Sequence, residues 1–379
     1  MKIYNEQDFI DIVRSGITPL SRADFYKTAQ IGTLWDKLKS NDIRVRTLKT
    51  KEGFYDWCYD FIHSDEPLKL YFNKRLSYVD PKPVEPVSIT DSKVKQTPNN
   101  VRFIRNVNLP SMLDSMGADG MSIRVAYKDA LERGKINRCM TMPSVFKDSY
   151  KKNYETFVVT MKTITGQMSV FSPRIYKTLL SKTDEYLNSS SQKMLIPSAS
   201  WCSPILATSN NTNYTDIHIV DVQNDVLETS KEVFNKLCGG TLFGLPYDLK
   251  TFCIPSERMS EVVDDDYDKI FFCPPYYDLE LYGGSDEQST TLYSSYPDWL
   301  NLYWRKTVEE CDKALKSGGV FCFIMGRLCR GYEMGKDMME IASERFELLE
   351  EVRVMPPKES TRSNQHLNKY EICYIMKKS

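Results

Sequence analysis

Histidine is scarce: only His63, His218 and His366 occur in 379 residues, far apart, and no Cys-x-x-Cys pair accompanies them. Nothing has the spacing of a zinc site, and no metal is expected. No apolar run approaches the ~18 residues that a membrane-spanning helix needs. The N-terminus, Met1-Lys2-Ile3-Tyr4-Asn5-Glu6, has no apolar segment of the kind that marks export. No Gly-x-Gly-x-x-Gly follows a strand-like run, which argues against a nicotinamide oxidoreductase. Internal repeats and low-complexity tracts are also missing. What remains is a soluble globular composition, 41% hydrophobic and 27% charged, long enough for one large or two ordinary domains. Ten cysteines fit the reduced thiols of a cytoplasmic protein.

The net charge of −1 conceals a split. Residues 1–200 hold 31 Lys and Arg against 22 Asp and Glu, whereas residues 201–379 hold 19 against 29. Such asymmetry points to one half facing phosphate. The basic clusters are Arg44-Val45-Arg46, Lys49-Thr50-Lys51, Lys93-Val94-Lys95, Arg102–Arg105 and Lys151-Lys152, interleaved with Tyr and Phe. Any one of them alone also suits a solvated surface.

Punctuation gives the organisation. Residues 1–75 read mostly helical, around Phe9–Val13, Leu34–Leu38 and Phe54–Ile62. Pro81, Pro83, Pro86 and the polar stretch to Asn100 read as a linker or long loop. A helix over Arg124–Arg133 has Gly134 as its C-cap. From about residue 165, strands and helices alternate, which argues for βαβ units and a mainly parallel sheet. The expected strands are Lys193–Ile196, Ile217–Val220, Thr251–Ile254, Lys269–Phe272 and Val320–Ile324. A terminal hairpin uses Phe346–Val354 and Tyr370–Met376.

One segment carries chemistry. The apolar run Lys269-Ile270-Phe271-Phe272 has strand length and is cut off by Cys273-Pro274-Pro275-Tyr276. Two prolines cannot donate to a ladder and force the chain out of the sheet. The strand end then presents the Cys273 side chain, a proline carbonyl with no competing N–H beside it, and a flat ring. That set suits a planar base with an exocyclic amine: oxygen or sulfur accepts from the NH2, and the ring stacks on the base. A strand entering a Pro-Pro turn by chance would look the same in isolation.

Cys273-Pro274-Pro275-Tyr276 resembles the catalytic (Asp/Asn/Ser)-Pro-Pro-(Tyr/Phe) motif of the amino-methyltransferases, which methylate adenine N6 or cytosine N4 with S-adenosylmethionine. The extension Tyr277-Asp278-Leu279-Glu280-Leu281-Tyr282 is similar to the motif's tail in phage and large-virus DNA methylases. The downstream block Tyr296-Pro297-Asp298-Trp299-Leu300, Tyr303-Trp304 and Lys316–Ile324 resembles the same group. The chain departs from the pattern at Cys273, because a thiol is a weak acceptor.

The resemblance implies an α/β fold, a Rossmann-like class I methyltransferase sheet with an additional mainly helical N-terminal domain. It divides the chain into a basic, DNA-contacting and target-recognising domain over 1–160 and a catalytic domain over 161–379. The implied cofactor is S-adenosyl-L-methionine. The family's first strand ends in Asp-Pro-Phe-x-Gly-x-Gly, and here Pro197, Ser198, Ala199 and Ser200 stand in that place without either glycine. Asp221 ends the next strand, where a carboxylate would hold the ribose diol; it equally suits a helix N-cap. Ser256 and Glu257 fall near the adenine, Phe171 in the helix-leading Phe-x-Pro that packs on the methionine portion, and Cys273 at the methyl group. Catalysis falls to Cys273, Pro274, Pro275 and Tyr276.

The implied reaction is methylation of an exocyclic amine on a base flipped out of duplex DNA, as in restriction-modification systems. The compartment is the cytoplasm, a host's for a viral chain. An RNA or protein-glutamine methyltransferase would use the same site, and an inactive nucleic-acid-binding paralogue would share the fold.

Overall fold

The computed structural model describes residues 1–28, 35–36, 50–95, 99–117, 120–136, 170–187, 192–209, 213–238, 247–264, 266–283, 285–326, 331–355 and 370–379. Among the described residues there are ten strands: β1 (Lys93–Lys95), β2 (Met116–Gly117), β3 (Gln192–Ile196), β4 (Tyr214–Asp221), β5 (Asp248–Cys253), β6 (Tyr267–Phe272), β7 (Glu280–Leu281), β8 (Leu315–Gly326), β9 (Phe346–Met355) and β10 (Glu371–Lys378). Eight form one sheet in the order β1-β9-β10-β8-β6-β3-β4-β5, while β2 pairs with β7. Neighbours in the large sheet run parallel, except that β10 runs against both β8 and β9. The fold class is therefore the expected α/β one, a Rossmann-like, mainly parallel sheet with many helices before it.

The central strands β6 and β8 form where apolar runs allow burial on both faces. Ile270, Phe271 and Phe272 of β6 and Val320–Met325 of β8 are fully buried. Lys269 is the exception in β6; it is buried and paired with Asp184, and it also donates to the Leu180 carbonyl at 3.3 Å. The crossover helix Pro173–Asp184 starts with proline in its first turn, where the missing N–H removes no bond.

The N-terminal helices include Glu6–Arg14, Lys51–His63, Glu66–Arg75 and Ile123–Arg133. Ser122 caps the last by accepting from the Val125 N–H, and Gly134 closes it at φ +61°. A Cβ on Gly134 would sit 2.6 Å from Thr28, so close packing as well as handedness demands glycine there. Of the expected helix at Leu34–Leu38, only 35–36 lie within the described residues, where they are helical.

Two hydrophobic clusters organise the described residues, and residue 160, the expected boundary, lies outside those residues. One cluster joins the N-terminal helices through Phe9, Phe54, Tyr127 and Leu131. The other is the sheet's core, and it includes Val84, Val94, Phe103, Ile104 and Val107. The stretch read as a linker thus contributes β1, the edge strand parallel to β9, and packs on the sheet.

Candidate active site

The strand order reverses between β3 and β6, and open α/β sheets bind ligands in the crevice beyond the carboxyl ends at such a point. A cavity of about 290 Å³ lies there, lined by residues that follow β3, β4, β5 and β6. The strand-end loops of four separate segments therefore meet at one place.

From the first loop come Pro197, Ser198 and Ser200, with Phe171 beside them. The neighbouring Ala199 is buried and does not line the cavity; its N–H donates to Asp221 Oδ2 at 2.9 Å. The loop lacks glycine yet adopts the conformation for which glycine is used: Ser200, Trp201 and Cys202 have φ of 45°, 55° and 66°. Asn108 holds this loop from the N-terminal half, its Nδ2 lying 3.7 Å from Cys202 Sγ, and Ser230 Oγ donates to the same sulfur at 3.3 Å.

Asp221 lines the cavity from the end of β4. Besides Ala199, it accepts the Gln223 N–H on Oδ1 at 2.9 Å, so it fastens the first two loops together. Burial pushes its carboxyl up, against the backbone N–H groups of Gln223, Ala199 and Val222 that pull it down. After β5 come Ser256 and Glu257. The Ser256 hydroxyl is hydrogen-bonded to Thr307 Oγ1 at 3.0 Å, away from solvent. Glu257 accepts from the Tyr293 hydroxyl at 3.2 Å, and burial raises its pKa.

Cys273, Pro274, Pro275 and Tyr276 complete the wall beyond β6. Burial and the neighbouring Glu371 push the Cys273 thiol well up, so it is protonated at neutral pH. The Tyr276 hydroxyl donates to Glu371 Oε1 at 2.7 Å. Asp278, two residues beyond Tyr276, is not part of the lining.

Three of the lining residues that sequence reasoning missed carry polar groups aimed at the site. Gln223 and Gln288 are each 6% exposed, and Gln223 Oε1 and Gln288 Nε2 have no hydrogen-bond partner although both residues line the cavity. Buried amide atoms of this kind are normally satisfied, which makes these two a ready donor and acceptor for a bound polar molecule. Glu371 is the third. Trp299 of the downstream aromatic block holds the Gln288 loop in place, its Nε1 donating to Ser289 Oγ at 3.1 Å, while Trp304 Nε1 donates to the Met338 carbonyl at 2.9 Å. Among the described lining residues, Asp221, Glu257, Glu280, Glu287 and Glu371 are acidic and none is basic. Among the described residues, no helix is long and apolar enough to cross a membrane, and no group of three His, Cys, Asp or Glu side chains could hold a metal ion.

No family model matches the chain, and a search of curated protein sequences finds no match. Among solved structures it is similar to TrmN from Thermus thermophilus, at 12% identity over 56% of this chain and 50% of that one, with a TM-score of 0.38. It is also similar to the N-methyltransferase NodS from Bradyrhizobium japonicum WM9 in complex with S-adenosyl-L-homocysteine, at 13% identity over 53% and 85%, with a TM-score of 0.35. An rRNA methylase from Streptococcus thermophilus gives 13% identity over 53% and 95%, with a TM-score of 0.33. The chain spans half the length of TrmN. At these scores the likenesses decide nothing about chemistry, which has to come from the site's own residues.

Proposed function

We propose that the protein transfers a methyl group from S-adenosylmethionine to an exocyclic amine of a base flipped out of DNA. The observation that carries this is the meeting of the Cys273–Tyr276 segment and the Asp221 carboxylate on one cavity at the strand-order reversal. The residues fit the cofactor. Asp221 suits the ribose diol, Glu257 the adenine amine, and the left-handed loop at 200–202 lets backbone approach the methionine end. The unpartnered amides of Gln223 and Gln288 await polar partners in the same space. When bound, the cofactor supplies an electrophilic methyl group on a sulfonium.

The chain's part is orientation and electrostatics. An aromatic amine is a poor nucleophile because its lone pair is delocalised into the ring. Acceptors at the Pro274 carbonyl and beside Cys273 draw on its N–H bonds and turn the lone pair out of the ring plane. Tyr276 offers its face to the base. The acidic cavity disfavours a phosphate inside it, which agrees with only the neutral base entering.

Duplex DNA incubated with the protein and labelled S-adenosylmethionine, then digested to nucleosides, should yield N6-methyladenine or N4-methylcytosine by mass. Label appearing only in RNA or in protein glutamine would move the substrate, and absence of S-adenosylmethionine binding by calorimetry would make the chain a non-catalytic relative.

A further inference from the structure

We infer that Glu371, from the last strand of the sheet, is the carboxylate that receives the acceptor amine's N–H. It thereby supplies what the first position of the Cys273-Pro274-Pro275-Tyr276 segment does not. This deepens the methyl-transfer reading and rests on it.

The topology explains how a residue near the C-terminus reaches this place. β10 is the antiparallel strand, so its amino end lies at the edge where the parallel strands have their carboxyl ends. Glu371, its first residue, pairs with Gly326, the last residue of β8, which puts no side chain in the way. β8 in turn neighbours β6, so Glu371 stands two strand spacings, roughly 10 Å, from the strand that leads into Cys273. A glutamate side chain covers much of that span. It reaches the cavity and bonds to the Tyr276 hydroxyl at 2.7 Å.

The chemistry requires such a group. A protonated thiol is a weak acceptor, whereas a carboxylate offers about four lone-pair sites and can accept from several donors at once. Among the other acidic lining residues, Asp221 ends β4 and Glu257 follows β5, on the other side of the reversal point, Glu280 accepts from the Tyr282 hydroxyl at 2.9 Å, and Glu287 is paired with Arg258 at 3.6 Å. Glu371 is the one joined directly to the catalytic segment. As the amine nitrogen bonds the methyl carbon it becomes cationic, and the sulfur keeps the electrons of the broken S–C bond. The surplus proton passes to Glu371 and from there to water.

The test first establishes that the wild-type protein methylates an exocyclic amine, so that failure of the general reading is seen separately. Glu371→Gln retains an oxygen that can accept from Tyr276 but removes the charge. It should lower kcat by about 100-fold or more, while S-adenosylmethionine affinity by calorimetry stays unchanged. Tyr276→Phe, which removes the hydroxyl's bonds to Glu371 and to the Cys273 thiol but leaves the Glu371 carboxylate in place, should lose much less. In a Glu371→Ala background, Cys273→Asp should recover at least tenfold by returning a carboxylate to the segment itself. A Glu371→Gln protein with wild-type turnover would overturn the assignment. So would equal losses in Glu371→Gln and Tyr276→Phe with no recovery from Cys273→Asp, because Glu371 would then only position the ring.

Discussion

Ser200, Trp201 and Cys202 show how single residues hold this site in shape. Left-handed backbone costs an L-residue roughly 1–2 kcal/mol, and such conformations persist only where the surroundings over-determine them. Here Trp201 is packed near Tyr282, with ring centroids 5.9 Å apart, and Cys202 is fixed by Asn108 and Ser230. Ser200 has the lightest anchor, a 3.4 Å bond from its hydroxyl to the Ser198 carbonyl. Ser200→Gly should therefore raise stability by about 0.5–1 kcal/mol, net of the extra unfolded-state freedom of glycine. Thermal melting checks this, and a lower Tm would mean that the serine side chain matters more than its backbone. At Tyr276 the ring is the functional part. Tyr276→Ala should remove a base stack worth ~1–3 kcal/mol and slow turnover on duplex DNA without changing cofactor affinity. Full activity in that variant would detach this segment from the base.

At the scale of elements, the strand ends set the titration behaviour. Asp221 after β4 and Glu257 after β5 both have pKa values raised by burial. For folding, a raised carboxyl pKa means that the contribution to stability is present at low pH and lost as pH rises through the folded-state value. Cofactor binding has the opposite sign, because the ribose hydroxyls and adenine amine donate to ionised carboxylates. Acidification from neutral pH should thus weaken S-adenosylmethionine binding above the usual carboxylate range, while these two groups do not lower Tm. Binding there should expel protons, measured as a calorimetric enthalpy that varies with buffer ionisation heat. Proton uptake on binding would show that neither carboxylate receives the ligand. These strands were legible because each is an apolar run closed by Pro, Ser or Asp, as at Ile196-Pro197, Val220-Asp221 and Phe272-Cys273-Pro274. β1 was not, since Lys93-Val94-Lys95 offers one apolar residue in a polar stretch and owes its form to pairing with β9. Nor was the insertion of β10 between β8 and β9. Local sequence shows a hairpin but not which strand receives its second arm, so Glu371 stayed invisible. The glutamines Gln223 and Gln288 escaped for a similar reason: only the folded cavity shows that they lack partners.

Over the whole molecule, the question is how an acidic cavity is brought to an anionic duplex. On the proposed reading, the phosphate contacts must come from the N-terminal half. Of its basic clusters, Arg44, Arg46, Lys49, Lys151 and Lys152 lie outside the described residues. Arg102 donates to the Asn73 carbonyl at 3.0 Å, and Arg105 is half-buried. Lys93 and Lys95 are exposed on β1, which runs parallel to β9 and hence to β8 and β6. Lys95, at the carboxyl end of β1, therefore faces the same sheet edge as Cys273, four strand spacings or roughly 19 Å away. That is on the order of a duplex width from a flipped base. Lys95→Ala should flatten the slope of log K against log salt by about 0.9 and leave S-adenosylmethionine affinity untouched; an unchanged slope would place the duplex elsewhere. A truncation starting near residue 160 is not a clean way to ask this. It would remove β1, Phe103 and Ile104 from the sheet's core and Asn108 from the strained loop. Such a truncation should lose cofactor binding together with DNA binding. If it folds by circular dichroism and still binds S-adenosylmethionine as tightly as the full chain, the packing of residues 84–108 on the sheet is dispensable, and the catalytic half stands alone.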